Sequence, residues 1–253
     1  PSISTNIRER LDFSCALLDA NGVLIASAPH IPVHLGALGV CVRETVASME
    51  HGARSTEPEV VRYADVSQLC DRTTQGDSAT PCSMPRALCS VQTGDTFITN
   101  HPAFGGSHLP DVTLITPVFD AKEQLLGFVA NRAHHAEIGG ITPGSMPATA
   151  TCLEEEGVVI APRYLVRADE ALFDEVADVL IKAKHPTRNL ADNLADLHAQ
   201  LAANRLGVER LQQLAAHNDV RAAMRGILEH PAHVMRSRLQ SIPDAKAKKT
   251  LDD

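Results

Sequence analysis

Val112-Thr113-Leu114-Ile115-Thr116-Pro117-Val118-Phe119, the polar break Asp120 to Gln124, and Leu125-Leu126-Gly127-Phe128-Val129-Ala130-Asn131 form the stretch that decides the fold. Two runs rich in β-branched and aromatic residues around a short polar turn read as an antiparallel strand pair. With the turn placed near residues 121 and 122, paired positions sum to about 243. Asp111 then faces the neighbourhood of Arg132, and His108 that of His135.

Working outward, Phe13 to Leu18 and Val23 to Ala26 flank Asp19-Ala20-Asn21-Gly22 and read as a second hairpin, because Asn-Gly tolerates positive φ. Leu35 to Met49 has helical spacing, with Leu35, Leu38, Val42 and Val46 on one face. Residues 51–94 show little periodicity and are expected to be a long polar loop. Short strands are expected at Thr96 to Thr99 and Val158 to Ile160, with a Gly/Pro-rich turn from Gly139 to Pro147 before the second. Past Asp169 the pattern becomes helical. Leu190, Leu194, Leu197, Leu201, Val208, Leu211 and Leu214 make a stripe behind an Asn189 cap, predicting a helix from Asn189 to about His217. A last helix, Asp219 to Leu239, holds Pro231, which should kink it or start a new helix. The expected class is therefore α+β: a mixed, β-rich part over residues 1–168 with hairpins, then a helical segment over 169–253 folded as a long α-hairpin.

The 253 residues are 44% hydrophobic and 21% charged, with a net charge of −8. That balance disfavours a nucleic-acid surface, which wants a basic stripe. No apolar run reaches the length a membrane helix needs, and the opening residues lack a signal-peptide pattern. Cys15, Cys41, Cys70, Cys82, Cys89 and Cys152 match neither a disulfide framework nor a CxxC zinc site, so a reducing cytoplasmic compartment is expected. Twelve histidines against two tyrosines and no tryptophan direct attention to a metal site.

The strand pair supplies that site. It brings the loop Gly105-Gly106-Ser107-His108-Leu109-Pro110-Asp111 to the same end as Asn131-Arg132-Ala133-His134-His135-Ala136-Glu137. Imidazole with carboxylate is the donor mix for a divalent metal. His108, Asp111 and one of the adjacent His134 and His135 are the candidate ligands, with Glu137 close by. Neighbouring residues of a strand face opposite sides, so only one of His134 and His135 should be a ligand. The other member of the His134–His135 pair, with Glu137, is a candidate for a catalytic acid/base or supporting role. His34, in Ala28-Pro29-His30-Ile31-Pro32-Val33-His34-Leu35-Gly36, opens a helix and is either a further ligand or a buried capping histidine. Gly139 to Ser145 lacks the Gly-Lys-Ser/Thr ending of a nucleotide loop, and no G-x-S-x-G elbow occurs.

Four segments resemble one family. Asn6 to Ala16 (Asn-Ile-Arg-Glu-Arg-Leu-Asp-Phe-Ser-Cys-Ala), Ala28 to Gly36, Gly105 to Asp111 and His134 to Pro147 are similar to the hydantoinase B/oxoprolinase family. Thr187 to Leu194 with Ala202-Ala203-Asn204 resembles its 5-oxoprolinases. The resemblance implies the front part of a longer, metal-bearing half of an enzyme that couples ATP hydrolysis to opening of a cyclic amide, such as 5-oxo-L-proline to L-glutamate or a hydantoin. It also implies an ATP-binding, hydantoinase A-like partner half that phosphorylates the amide oxygen, an oligomeric assembly, and a divalent cation at His108, Asp111 and His134. Two other expectations stand beside it: an acetone-carboxylase-type subunit, and a non-catalytic fragment that keeps the fold.

Overall fold

The computed structural model describes residues 4–28, 31–52, 91–240 and 242, without the side chains of residues 50–52. Cys70, Cys82 and Cys89, and most of the expected 51–94 loop, lie outside those residues. The fold is α+β, built on one antiparallel seven-stranded sheet in the order β2-β1-β5-β4-β3-β6-β7. Its strands are β1 (Phe13–Asp19), β2 (Leu24–Ala28), β3 (Thr96–Thr99), β4 (Asp111–Phe119), β5 (Leu125–His134), β6 (Arg163–Arg167) and β7 (Glu170–Ala171). The helices are α1 (Thr5–Arg8), α2 (Pro32–Gly52), α3 (Leu153–Glu156), α4 (Phe173–Lys182), α5 (Leu190–His217) and α6 (Val220–Gln240).

Both expected hairpins form. In β4–β5 the register differs from the expected one by two residues: Asp111 pairs with His134, Val112 with Ala133 and Thr113 with Arg132. The cause is local. The loop Asp120–Gln124 is centred half a residue later than expected, with Glu123 at φ +58, which moves the pairing by one position, and a bulge between Val118 and Phe119 adds the second. A shift of two preserves which side chains share a face. Pro117 is tolerated in this inner strand because the β3 pairing stops at Ile115, leaving no ladder partner for a missing N–H.

Side chains alternate across the sheet and are covered on both sides. One face carries Ala16, Leu18, Phe97, Ile115, Phe128 and Ala130, packed against Leu38, Cys41 and Val42 of α2. The other carries Ile98, Val112 and Leu114 against Val176 and Leu180 of α4 and Leu197 and Leu201 of α5. Each fully buried aliphatic side chain contributes about 1.5–3 kcal/mol. This double cover explains why β4 is buried at eight successive positions rather than alternating.

Four expectations are corrected. Leu35 is 42% exposed and is not part of the buried face of α2, and Leu214 of α5 is 57% exposed. Val158 to Ile160 is not a strand, though its backbone bonds to Ile138 and Asn100. The seventh and sixth strands, β7 and β6, follow it without an alternating signal that marks them. Of the two outcomes expected at Pro231, a new helix does not begin there: α6 continues through it as one helix. The face that α5 turns to the sheet is also not an apolar stripe alone. Asn193, Asp196, Gln200 and Asn204 are buried beside Leu197 and Leu201.

Candidate metal centre

Three elements end at the same corner on the α2 face of the sheet. β4 begins there with Asp111, β5 ends there with His134, and β1 starts there after Asp12. The loop ahead of β4 brings His108, and the first turn of α2 brings His34. Pro32 opens that helix, where its missing N–H costs nothing.

Asp111 is the hub. It is 1% exposed, and its Oδ2 faces His34 Nε2 at 3.2 Å and His108 Nδ1 at 3.1 Å, while Oδ1 faces His134 Nδ1 at 3.2 Å. The Ser107 hydroxyl also donates to Oδ2. Burial pushes the Asp111 carboxyl up, but the hydrogen bonds from His108, His134, His34 and Ser107 outweigh it and hold it far below the usual carboxylate range. It is therefore a carboxylate, the form a metal requires.

The arrangement around His134 is what fits a cation. Its Nδ1 lies 3.1 Å from His108 Nε2, 3.2 Å from Asp111 Oδ1 and 3.8 Å from Asp12 Oδ2. One ring nitrogen has either one proton or one lone pair and cannot serve three partners. Donor atoms of His108, Asp111 and His134 all lie within 4.8 Å of one another. Two donors held about 2.0–2.2 Å from one ion fall within that span. Asp12 was not singled out by sequence reasoning. Its carbonyl accepts the His134 N–H at 3.0 Å, and its side chain is 39% exposed at the open side of the group. The preceding Leu11, exposed and at φ +55, was the signal available only from the backbone.

His34 lies beside this group rather than inside it. Its ring is 1% exposed and spans from the Ser14 hydroxyl on Nδ1, at 2.9 Å, to Asp111 on Nε2.

His135 points to the opposite face, as strand alternation requires. It is fully buried, with Nδ1 2.8 Å from Asn193 Oδ1 and Nε2 3.0 Å from Gln200 Oε1. Gln200 in turn donates to the Val112 carbonyl and to Asn131 Oδ1, and Asn131 donates to Asn204. Glu137 closes the near end of α5. It accepts from the Gly139, Arg188 and Asn189 N–H groups and from the Thr187 hydroxyl. These bonds occupy the carboxylate at a helix N-terminus, where negative charge is favoured.

Burial pushes the Glu137 carboxyl up, but the bonds from Thr187, Gly139, Asn189 and Arg188 outweigh it and hold it below the usual glutamate value. A depressed folded value means the stabilisation is complete well above the unfolded value of 4.5 and is lost as pH falls below it. Glu137→Gln is expected to cost about 1–3 kcal/mol at pH 7. Urea denaturation at pH 7 and pH 4 checks this: the wild type should lose more stability between the two than the variant. Equal losses contradict the assignment.

A family model described as hydantoinase B/oxoprolinase matches residues 1–253. 5-Oxoprolinase 1 of Arabidopsis thaliana is 38% identical, over 98% of this chain and 18% of that protein. The ATP-dependent caprolactamase from Pseudomonas jessenii superimposes with a TM-score of 0.61 and 24% identity, over 92% of this chain and 34% of that one. The nucleotide-free structure of an ATP-dependent acetone carboxylase superimposes with a TM-score of 0.69 and 17% identity, over 95% of this chain and 27% of that one. At those identities the two structures share the fold. The chain spans less than a fifth of the length of the first curated relatives it matches, 16 to 18%.

Proposed function

The chain belongs to the hydantoinase B/oxoprolinase family, and from that premise we propose that it is the metal-bearing part of an ATP-dependent enzyme that opens a cyclic amide. The observation that carries the proposal is the convergence of His108, Asp111 and His134 donor atoms within 4.8 Å. A divalent cation held there supplies Lewis acidity toward a carbonyl oxygen or toward water.

The chain's own residues do the rest. Asp111 supplies the anionic donor, and the two imidazoles supply neutral ones. Asp12, on the open side, offers a second carboxylate to the cation or to whatever approaches it. His34 holds Asp111 from behind. His135 and Glu137 fix the end of β5 and the loop after it against α5, so they position the site rather than touch a substrate. A lactam is a poor electrophile, and phosphorylation of its oxygen by an ATP-binding partner half provides the leaving group that hydrolysis lacks. The relative named 5-oxoprolinase favours 5-oxoproline over a ketone as the molecule so activated.

Metal analysis of the purified chain tests the site. The wild type is expected to retain a divalent metal through gel filtration, and His108→Ala to lose most of it. Unchanged metal content in the variant sinks the ligand set. Mixing the chain with an ATP-binding hydantoinase A-like half, and following ADP release with 5-oxoproline, hydantoins or acetone, tests the chemistry. ADP release driven by acetone and not by the cyclic amides replaces hydrolysis with carboxylation.

A further inference from the structure

Arg132 heads the fully buried side chains in volume, and among the described residues none of its hydrogen bonds goes to His108, Asp111 or His134. Its Nε donates to Thr113 Oγ1 at 2.8 Å, its Nη2 to the Gly105 carbonyl at 2.7 Å, and its Nη1 reaches Ser107 Oγ at 3.5 Å. The Cys41 thiol lies beside it. Among the described residues none of these partners is a carboxylate. A buried guanidinium met only by neutral groups costs several kcal/mol of desolvation, so a purely apolar side chain would serve packing better here. What the guanidinium does instead is hold one loop.

That loop has little freedom. Gly105 sits at φ +77, and a Cβ there would lie 2.6 Å from the Cys41 backbone nitrogen. Arg132 fixes its carbonyl, and two residues later occupies the Ser107 oxygen as a donor. The Ser107 proton is thereby directed away from the guanidinium and onto Asp111 Oδ2. Among the described residues, Oδ2 then has Ser107, His34 and His108 around it, whereas Oδ1 has His134 alone.

We propose that Arg132, acting through Ser107, is a positioning residue of the cation site: it commits Asp111 Oδ2 to the protein and presents Oδ1 as the ligand oxygen. The inference rests on the cation-site reading above. It assigns no proton transfer to either residue. Outer partners of metal ligands of this kind are worth about 10–100-fold in affinity.

The test uses cobalt(II) as the probe, titrated into the wild-type chain, Ser107→Ala, Ser107→Thr and Arg132→Lys, with affinity and the visible ligand-field spectrum read together. Ser107→Ala is expected to weaken binding about 10–100-fold and to shift the spectrum. Ser107→Thr, which keeps a hydroxyl, is expected to restore both. Arg132→Lys, if its circular dichroism matches the wild type, should reproduce the Ser107→Ala spectrum, because one ammonium cannot hold the Gly105 carbonyl and Ser107 together. Wild-type affinity and spectrum in Ser107→Ala overturn the proposal. So does a loss that Ser107→Thr fails to restore, which marks packing alone. Should the wild type itself take up no cobalt, the cation-site reading falls first and this proposal with it.

Discussion

Asp111→Asn is expected to bind a divalent cation at least about 100-fold more weakly than the wild type, a loss of about 2.8 kcal/mol. Two effects add. The substitution removes the only carboxylate in the three-residue donor group, leaving two neutral imidazoles to face a dication. It also places an amide among groups arranged to donate to both oxygens: the Ser107 hydroxyl, His34, His108 and His134. Whichever way the amide turns, its –NH2 meets donors, and each mismatch in a site 1% exposed costs about 1–3 kcal/mol. Metal titration monitored by calorimetry measures the affinity, and circular dichroism separates it from unfolding. A folded Asp111→Asn chain that binds cation like the wild type removes Asp111 from the ligand set.

Gln200→Leu is expected to be the most damaging single change outside the metal centre. The side chain is 5% exposed and makes three internal bonds: to the Val112 carbonyl at 2.9 Å, to Asn131 Oδ1 at 2.8 Å and to His135 Nε2 at 3.0 Å. Leucine is close in volume, so no cavity offsets or confuses the result. What remains is three buried polar groups without their partner, each costing about 1–3 kcal/mol. The sum is on the order of 3–9 kcal/mol, against a typical total of roughly 5–15 kcal/mol for a domain. Denaturant unfolding should show the midpoint falling sharply. A change under about 1 kcal/mol would falsify the claim that this seam holds α5 to the sheet.

The hairpin and its consequence were legible because two uninterrupted β-rich runs with one polar break leave little choice of pairing. Even a register misplaced by two residues kept Asp111 and His134 on one face, since strand parity survives an even shift. The α5 helix was legible from its leucines, but its buried asparagines and glutamine were not. A polar residue at an inward helical position looks the same in sequence as one at the surface until its partners are known. Asn131 and Arg132, polar groups inside a strand otherwise made of Val, Ala and Phe, were the clue that both faces meet something other than oil. Asp12, Ser107 and Arg132 escaped because their roles depend on which loop lies against which strand; Arg132 reaches that loop across 25 and 27 residues of chain. β6 and β7 escaped for a different reason: the first is short and half-buried, the second exposed and two residues long, so neither leaves a periodic trace.

His134 and His135 share one peptide unit yet face opposite layers, one toward the cation group and one toward Asn193 and Gln200 of α5. Neither ring can rotate about the strand axis without carrying the other. Occupancy on one side and helix docking on the other are therefore expected to be linked across a single backbone bond. A cation held at the corner would then restrain the opening of a helix layer it never contacts, and slower amide hydrogen exchange along α5 on adding metal is the expected readout.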